Sequence, residues 1–365
     1  MQEITGSLVD ILKGEHSFGQ SIAVQGNTLV VGADDTPIHG KKYQGCVYVF
    51  KKHKGKWVEK QILSYPLMGS DSFYGWDVSI SEDEQWIAVG VDDDDAFAPC
   101  GGSVHVFKFD GKVYNLFQIL YNKVEKSYFG FSVYIHNDEM LIGAPSYRTE
   151  KITKTGQYSG TVQLYKLENE YWIYKTTFHP SFVDPKTFYG GNVRISDDFY
   201  FISAHKEGLA GVVYVYNKKF ELVTKLKPSF SNLSIDACFG KSMAINGNNL
   251  LVGAMGENKA YLFHTQTLKA VYDLYIIHKA SCFGYSVDIN SNKIAVSDIN
   301  SLDLKYENLD WDGKTIDVGY CYIFQNDTQI RLYIDNKHLG HCVRLSENEI
   351  FIGSPHINKV FISEI

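Results

Sequence analysis

Short apolar–polar alternations of four to six residues, broken by Gly, Asn and Asp, run along almost the whole chain. Such period-two patterning predicts antiparallel strands with one face turned to a core. The segment SFGQSIAVQGNTLVVGA, from Ser17 to Ala33, shows the unit. An aromatic-Gly pair opens it, two apolar strands flank a Gln-Gly-Asn turn, and a Gly-Ala step closes it. Gly and Asn suit tight hairpin turns because they tolerate positive φ. The frame returns as YFGFSVYIHNDEMLIGA, CFGKSMAINGNNLLVGA and CFGYSVDINSNKIAVSD.

Seven such pairs start seven units: Phe18-Gly19, Tyr74-Gly75, Phe129-Gly130, Tyr189-Gly190, Phe239-Gly240, Phe283-Gly284 and Leu339-Gly340. In six of them the Gly is followed 13 residues later by another Gly or a Ser, as in Gly19 to Gly32 and Gly190 to Ser203. Only Gly75 to Gly90 takes 15, because SEDEQ lengthens the turn. A third strand follows in each unit (GCVYVF, GSVHVF, GTVQLY, GVVYVY, NKAYLF, GYCYIF, NKVFIS), and six units add a fourth, such as WVEKQIL and YNLFQIL. Four strands in each of seven units predict an all-β protein, a seven-bladed β-propeller of four-stranded antiparallel blades. Unit seven stops at KVFISEI, whereas SLVDIL, Ser7 to Leu12, precedes the first unit and resembles a fourth strand. The N-terminal strand is therefore expected to complete the last blade and hide the sheet edges that closure removes. The single domain spans 1–365, with blades at about 13–63, 64–120, 121–178, 179–227, 228–277, 278–334 and 335–365 plus 1–12.

The frame FGxSVxI…LxVGAP…GxVYVF resembles the FG-GAP repeat, the unit of the seven-fold propeller of integrin α-subunits and of many bacterial, protist and large-virus proteins. The run SFGQSIAV…LVVGA…GCVYVF…KWVEKQIL is most similar to the compact bacterial-type repeat, and the resemblance covers essentially the whole chain. In integrin-like repeats a DxDxDG loop between the first two strands of a blade holds calcium. Here that hairpin is too short in every blade, so the resemblance implies no calcium there.

A net charge of −7 gives no basic face for nucleic acid. No apolar run approaches the roughly 18 residues of a membrane span. The start MQEITGSLVDILKG has neither the basic beginning nor the apolar core of a signal peptide. Extracellular, virion-surface and cytoplasmic locations all stay open. Six singly spaced cysteines are expected as mostly buried thiols. Asn232 and Asn326 stand in glycosylation sequons.

No catalytic signature is present. The FGxS serine occurs four times (Ser21, Ser132, Ser242, Ser286) with no His and Asp set repeating beside it. The histidines form no HxH or HExxH arrangement, and there is no phosphate-binding Gly loop or zinc cluster. The chain is read as a non-enzyme needing no cofactor; a hydrolase or lyase site assembled from several blades is the less favoured reading. ENLDWDGKTID places Asn308, Asp310 and Asp312 ahead of Gly313, the N-x-D-x-D-G core of a calcium loop without its closing Glu. It is read as a solvated acidic loop, with calcium as the alternative. VDDDDAFAP, with Asp92 to Asp95, packs like charges with no turn to aim them.

The small residues that follow each Phe-Gly glycine by two places suit a narrow wet channel. Two places further come Ala23, Ser79, Tyr134, Arg194, Ala244, Asp288 and Arg344, of which Asp288 and Arg344 are expected to pair. Connections between second and third strands all open on one side of the ring, the side that engages ligands in the integrin relatives. They are longest in units one, two, three and six. They carry Asp34, Asp35, Asp92, Asp93, Phe97, Tyr147, Arg148, Tyr158, Tyr306 and Trp311, the candidate binding face for a protein or glycan. Self-association is also open. The alternative is a structural surface or fibre component of a large DNA virus particle, which a composition rich in Lys, Asn, Ile and Tyr fits.

Overall fold

The computed structural model describes residues 8–145, 160–181, 187–228, 236–275, 281–300, 319–325, 328–333 and 340–365. These residues form 28 strands, β1 (Leu8–Lys13) to β28 (Lys359–Glu364), in seven four-stranded antiparallel sheets. The first blade holds β2 (Ile22–Gln25), β3 (Thr28–Ala33), β4 (Cys46–His53) and β5 (Lys56–Leu63) in that order. Five further blades repeat this order. The last one has the order β1–β28–β27–β26, with β26 at Cys342–Leu345 and β27 at Glu349–Ser354. Asp10 pairs with Ile362, Ile11 with Phe361 and Leu12 with Val360, so the N-terminal strand closes the ring. No helix among the described residues is long and apolar enough to cross a membrane.

Radial packing explains the burial pattern. Each inner strand is covered on both faces by neighbouring blades, and β3 is buried at every position. The fourth strand lies on the rim, where Lys56, Val58, Glu59, Lys60 and Ile62 of β5 are exposed. Among the described residues seven large apolar clusters form, one between each pair of adjacent blades, and a small eighth of Cys238, Met255 and Cys282 joins blades five and six. The cluster joining blades seven and one contains Phe18, Leu29, Trp57, Phe351 and Val360. Burying each such side chain contributes about 1.5–3 kcal/mol.

The repeated letters become contacts. Phe18 stands edge-on to Tyr48 of its own third strand at 5.1 Å, and Tyr189–Tyr214, Phe239–Tyr261 and Phe283–Tyr322 repeat the pair at 5.0, 5.5 and 5.5 Å. Edge-to-face packing is the favoured aromatic geometry. In blade two His105 takes the tyrosine's place, edge-on to Tyr74 and Tyr65.

The spacing of 13 has its cause at the seams between blades. A Cβ added to Gly143 would lie 2.0 Å from the carbonyl oxygen of Gly190 in the next blade, and Gly32, Gly90, Gly253 and Gly353 face Gly75, Gly130, Gly284 and Gly19 in the same way at 2.0–2.2 Å. Each Phe-Gly glycine also holds a positive φ, from +89° to +100°. Both glycines are thus required, one by close approach and the other by conformation as well.

Three of the repeated serines bridge the same seams. Ser21, Ser132 and Ser242 donate to the carbonyls of Gly75, Gly190 and Gly284 at 2.8, 2.8 and 2.9 Å. They turn sideways into the seam rather than line a wet channel. Further out, the Gln61 amide pairs with the backbone N–H and carbonyl of Tyr114 at 2.8 and 2.7 Å, and Gln118 treats Trp172 likewise. This is the physical content of the repeated QIL. The six cysteines remain thiols, five of them buried.

Candidate functional site

The loop after β3 and its counterpart in blade two are closed at the base by glycines. Gly45 N–H donates to the Thr36 carbonyl and Gly102 N–H to the Asp94 carbonyl, both at 3.0 Å. Asp34 and Asp92 consequently sit buried at the loop bases. Neither is exposed on the face where both were expected. Burial, and then the charge of Asp35, push the Asp34 carboxyl up to about 8. Asp35 is half-buried and accepts the Ser17 hydroxyl at 3.3 Å.

The acidic stretch of blade two does have a turn, contrary to expectation. Asp94 accepts the Ala96 N–H at 2.9 Å and Asp95 the Cys100 N–H at 2.7 Å. Ligand atoms of Asp93, Asp95 and Cys100 lie within 4.8 Å of one another. However, burial and then Asp93 push the Cys100 thiol up to about 11. Two backbone N–H groups of the turn already engage Asp94 and Asp95. Phe97 remains exposed and stacks on Tyr121 with ring centroids 3.4 Å apart. Tyr147, Arg148, Tyr158, Tyr306 and Trp311 lie outside the described residues, as do the calcium candidates Asn308, Asp310 and Asp312 and the sequons at Asn232 and Asn326.

A second feature of the same face comes from the residue after each Phe-Gly glycine, at the start of the innermost strand. Trp76 meets Phe131 of the next blade at 5.3 Å, and Phe131 meets Phe188 of the one after at 5.6 Å. Phe73 joins Trp76 to the loop residue Tyr43. The result is an arc of half-exposed rings over blades one to four. Across the opening Tyr285 meets His341 at 5.4 Å, and the Lys241 ammonium lies 5.7 Å from the Tyr285 ring. Sequence reasoning passed over these residues, although FGF, YGW, FGY and LGH carried the signal.

Deeper in the ring a cavity of about 210 Å³ is lined by Asp77, Tyr134, Arg194, Asp288 and Arg344. Asp288 and Arg344 do not make the expected pair. Asp288 accepts the Leu345 N–H at 2.6 Å, and Arg344 Nη1 donates to the Val343 carbonyl at 2.7 Å. Asp77 accepts the Val133 N–H at 2.9 Å. Arg194 donates to its neighbour's carbonyl at 2.7 Å, with its guanidinium 4.9 Å from the Tyr134 ring centroid. Backbone groups hold each charge in place, and among the described residues no ion pair within 4.0 Å joins these arginines to these aspartates. Burial raises the pKa of Asp77 and of Asp288 and lowers that of Arg194. The mouth at the first-hairpin side holds Glu82, which bonds His136 at 2.8 Å, while Asp197 bonds the other ring nitrogen at 3.0 Å.

The sequence profile of the FG-GAP repeat matches residues 13–50, which hold the first Phe-Gly pair and reach the VYVF of β4. The other six blades repeat the four-stranded antiparallel topology of the matched one around the ring. The chain is an FG-GAP repeat β-propeller. No curated protein matches it. In this FG-GAP propeller the first hairpins turn tightly, with Gln25 opposite Thr28, His136 opposite Glu139 and Asn246 opposite Asn249. Two residues lie between the members of each pair, far fewer than a DxDxDG loop requires.

Proposed function

We propose that this FG-GAP propeller is a non-catalytic docking scaffold that holds a protein or glycan partner on the face of the second-to-third-strand connections. The observation that carries the reading is the aromatic arc from Tyr43 through Phe73, Trp76 and Phe131 to Phe188. Rings supply large contact area with little conformational freedom to lose, and aromatic anchors dominate the energetics of interfaces. Here Trp76 stands on an inner strand (Tyr74–Ile80), Phe73, Phe131 and Phe188 directly precede inner strands, and the exposed Phe97–Tyr121 stack adds apolar surface nearby. The repeated serines support a role without catalysis, since three of them donate their hydroxyl protons to backbone carbonyls.

A photo-crosslinking amino acid at Phe97, compared with one at Asn137 on the opposite side of the ring, tests the reading. Adducts are expected from position 97 alone, and Trp76→Ala combined with Phe131→Ala should abolish them. A glycan array run with the same variants covers the sugar arm. Self-assembly, as in the outer layer of a virus particle, would instead give adducts at multiples of the chain's own mass. Adducts from position 137 alone, or no effect of the ring substitutions, would remove the docking face from this side.

A further inference from the structure

We propose that the central cavity is a binding site for a small zwitterion of the amino-acid type, its anionic group held by Arg194 and Arg344 and its cationic group by Asp77 and Asp288. The site is independent of the docking face. It is assembled from blades two, four, six and seven, with Tyr134 of blade three beneath the Arg194 guanidinium at 4.9 Å. Blades one and five contribute only Ala23 and Ala244 at the matching positions, which keeps the centre open.

The charges are held, yet not by each other. Each arginine has one described hydrogen bond, to a backbone carbonyl, of the five N–H donors that a guanidinium carries. Asp77 and Asp288 accept backbone N–H groups from the following blade. Arg194 is only 8% exposed. Charges so placed are costly unless something of opposite sign and good geometry lies between them. Two positive and two negative groups fit a ligand carrying one charge of each sign, whereas a simple anion would also meet two carboxylates. The cavity is several times the roughly 30 Å³ that one water takes in the liquid, room for a few heavy atoms. The burial-raised pKa values of both aspartates are lowered in turn by the arginines, so all four side chains share one field.

The test is titration calorimetry and thermal melting of the full chain with glycine, β-alanine and γ-aminobutyrate, which place the two charges at increasing separation. Acetate and ethylammonium at equal ionic strength serve as single-charge controls. One member of the series is expected to bind saturably at one site per chain and raise the melting temperature, with neither control doing so. Asp288→Asn and Arg344→Gln should each weaken binding about tenfold or more. Ala244→Leu, which fills the cavity without changing a charge, should also weaken it; this variant keeps the proposal testable if the charge variants unfold. No saturable heat with any member overturns the proposal, as does equal binding of acetate with no effect of Asp288→Asn. Unaltered binding by a folded Ala244→Leu protein overturns it too.

Discussion

His105 occupies the place of a tyrosine found in four other blades, and the exchange leaves an ionisable group in the core. Its Nδ1 has no hydrogen-bond partner, and burial pushes the imidazole down to about 3 from an ordinary value near 6.5. The unfolded chain therefore takes up a proton below about pH 6.5 that the folded chain refuses until about pH 3, so stability falls as pH falls through that window. His105→Gln keeps the size and polarity, as Gln163 does in blade three, and removes the titration. The loss of melting temperature between neutral pH and about pH 4 should be smaller in this variant than in the parent. Parallel curves would show that the buried imidazole contributes nothing to acid sensitivity. Residues of this kind were poorly legible beforehand. Asp34 and Asp92 read as loop acids, and loop acids are usually exposed; Gly45 and Gly102 tuck them in, an effect set by tertiary closure and not by neighbours in sequence.

Strand β1 is the element on which the ring depends, and it was legible because VDIL matches the pattern of the fourth strands. Removing residues 1–13 would bare the outer edge of β28 and uncover part of the cluster that holds Leu12, Phe18 and Val360. The truncated protein should melt several degrees lower or aggregate, as thermal melting and size-exclusion chromatography would show. A stable, monodisperse truncation would contradict this. The analogy with the other fourth strands ends at one position. Asp10, where blades one and two carry the bridging Gln61 and Gln118, bonds the Ile11 N–H instead. The closing seam is held by the buried Glu349, which takes Lys52 at 2.8 Å and the Trp57 indole N–H at 3.4 Å. That contact joins residues almost a chain length apart, so no local pattern announced it.

Across the whole molecule no blade is terminal. Each shares an apolar cluster with both neighbours, unlike an open array whose end repeats fray independently. Thermal unfolding should be one transition with equal calorimetric and van't Hoff enthalpies. Gly143→Ala, which forces a methyl group against the Gly190 carbonyl, should lower that transition by a few degrees without splitting it, since overpacking costs roughly 1–3 kcal/mol. Two resolved transitions in scanning calorimetry would show that the ring unfolds in parts. The architecture was readable because one rule is repeated seven times. The aromatic arc was not, because it draws single residues from separate blades that only the closed ring brings together. The shared channel position of Tyr134, Arg194, Asp288 and Arg344 was readable from the repeat, but not that backbone groups would hold Asp288 and Arg344 in place of each other.

The glycine contacts also set the terms on which such a ring gains or loses members. Every blade presents the same two half-joints, a small residue on its second strand and a Phe-Gly glycine before its first. A duplication or deletion cut at blade length carries both halves together, so the new neighbours meet across a joint of familiar shape. Interchange is not fully free. Blades four and six carry Ser203 and Ser297 in the small-residue place, where an added methyl on Gly240 or Gly340 would stand 3.1 or 2.8 Å from the serine Cβ. A blade moved to follow either of them must tolerate that extra carbon, which gives the ring a preferred neighbour order at two of its seven joints.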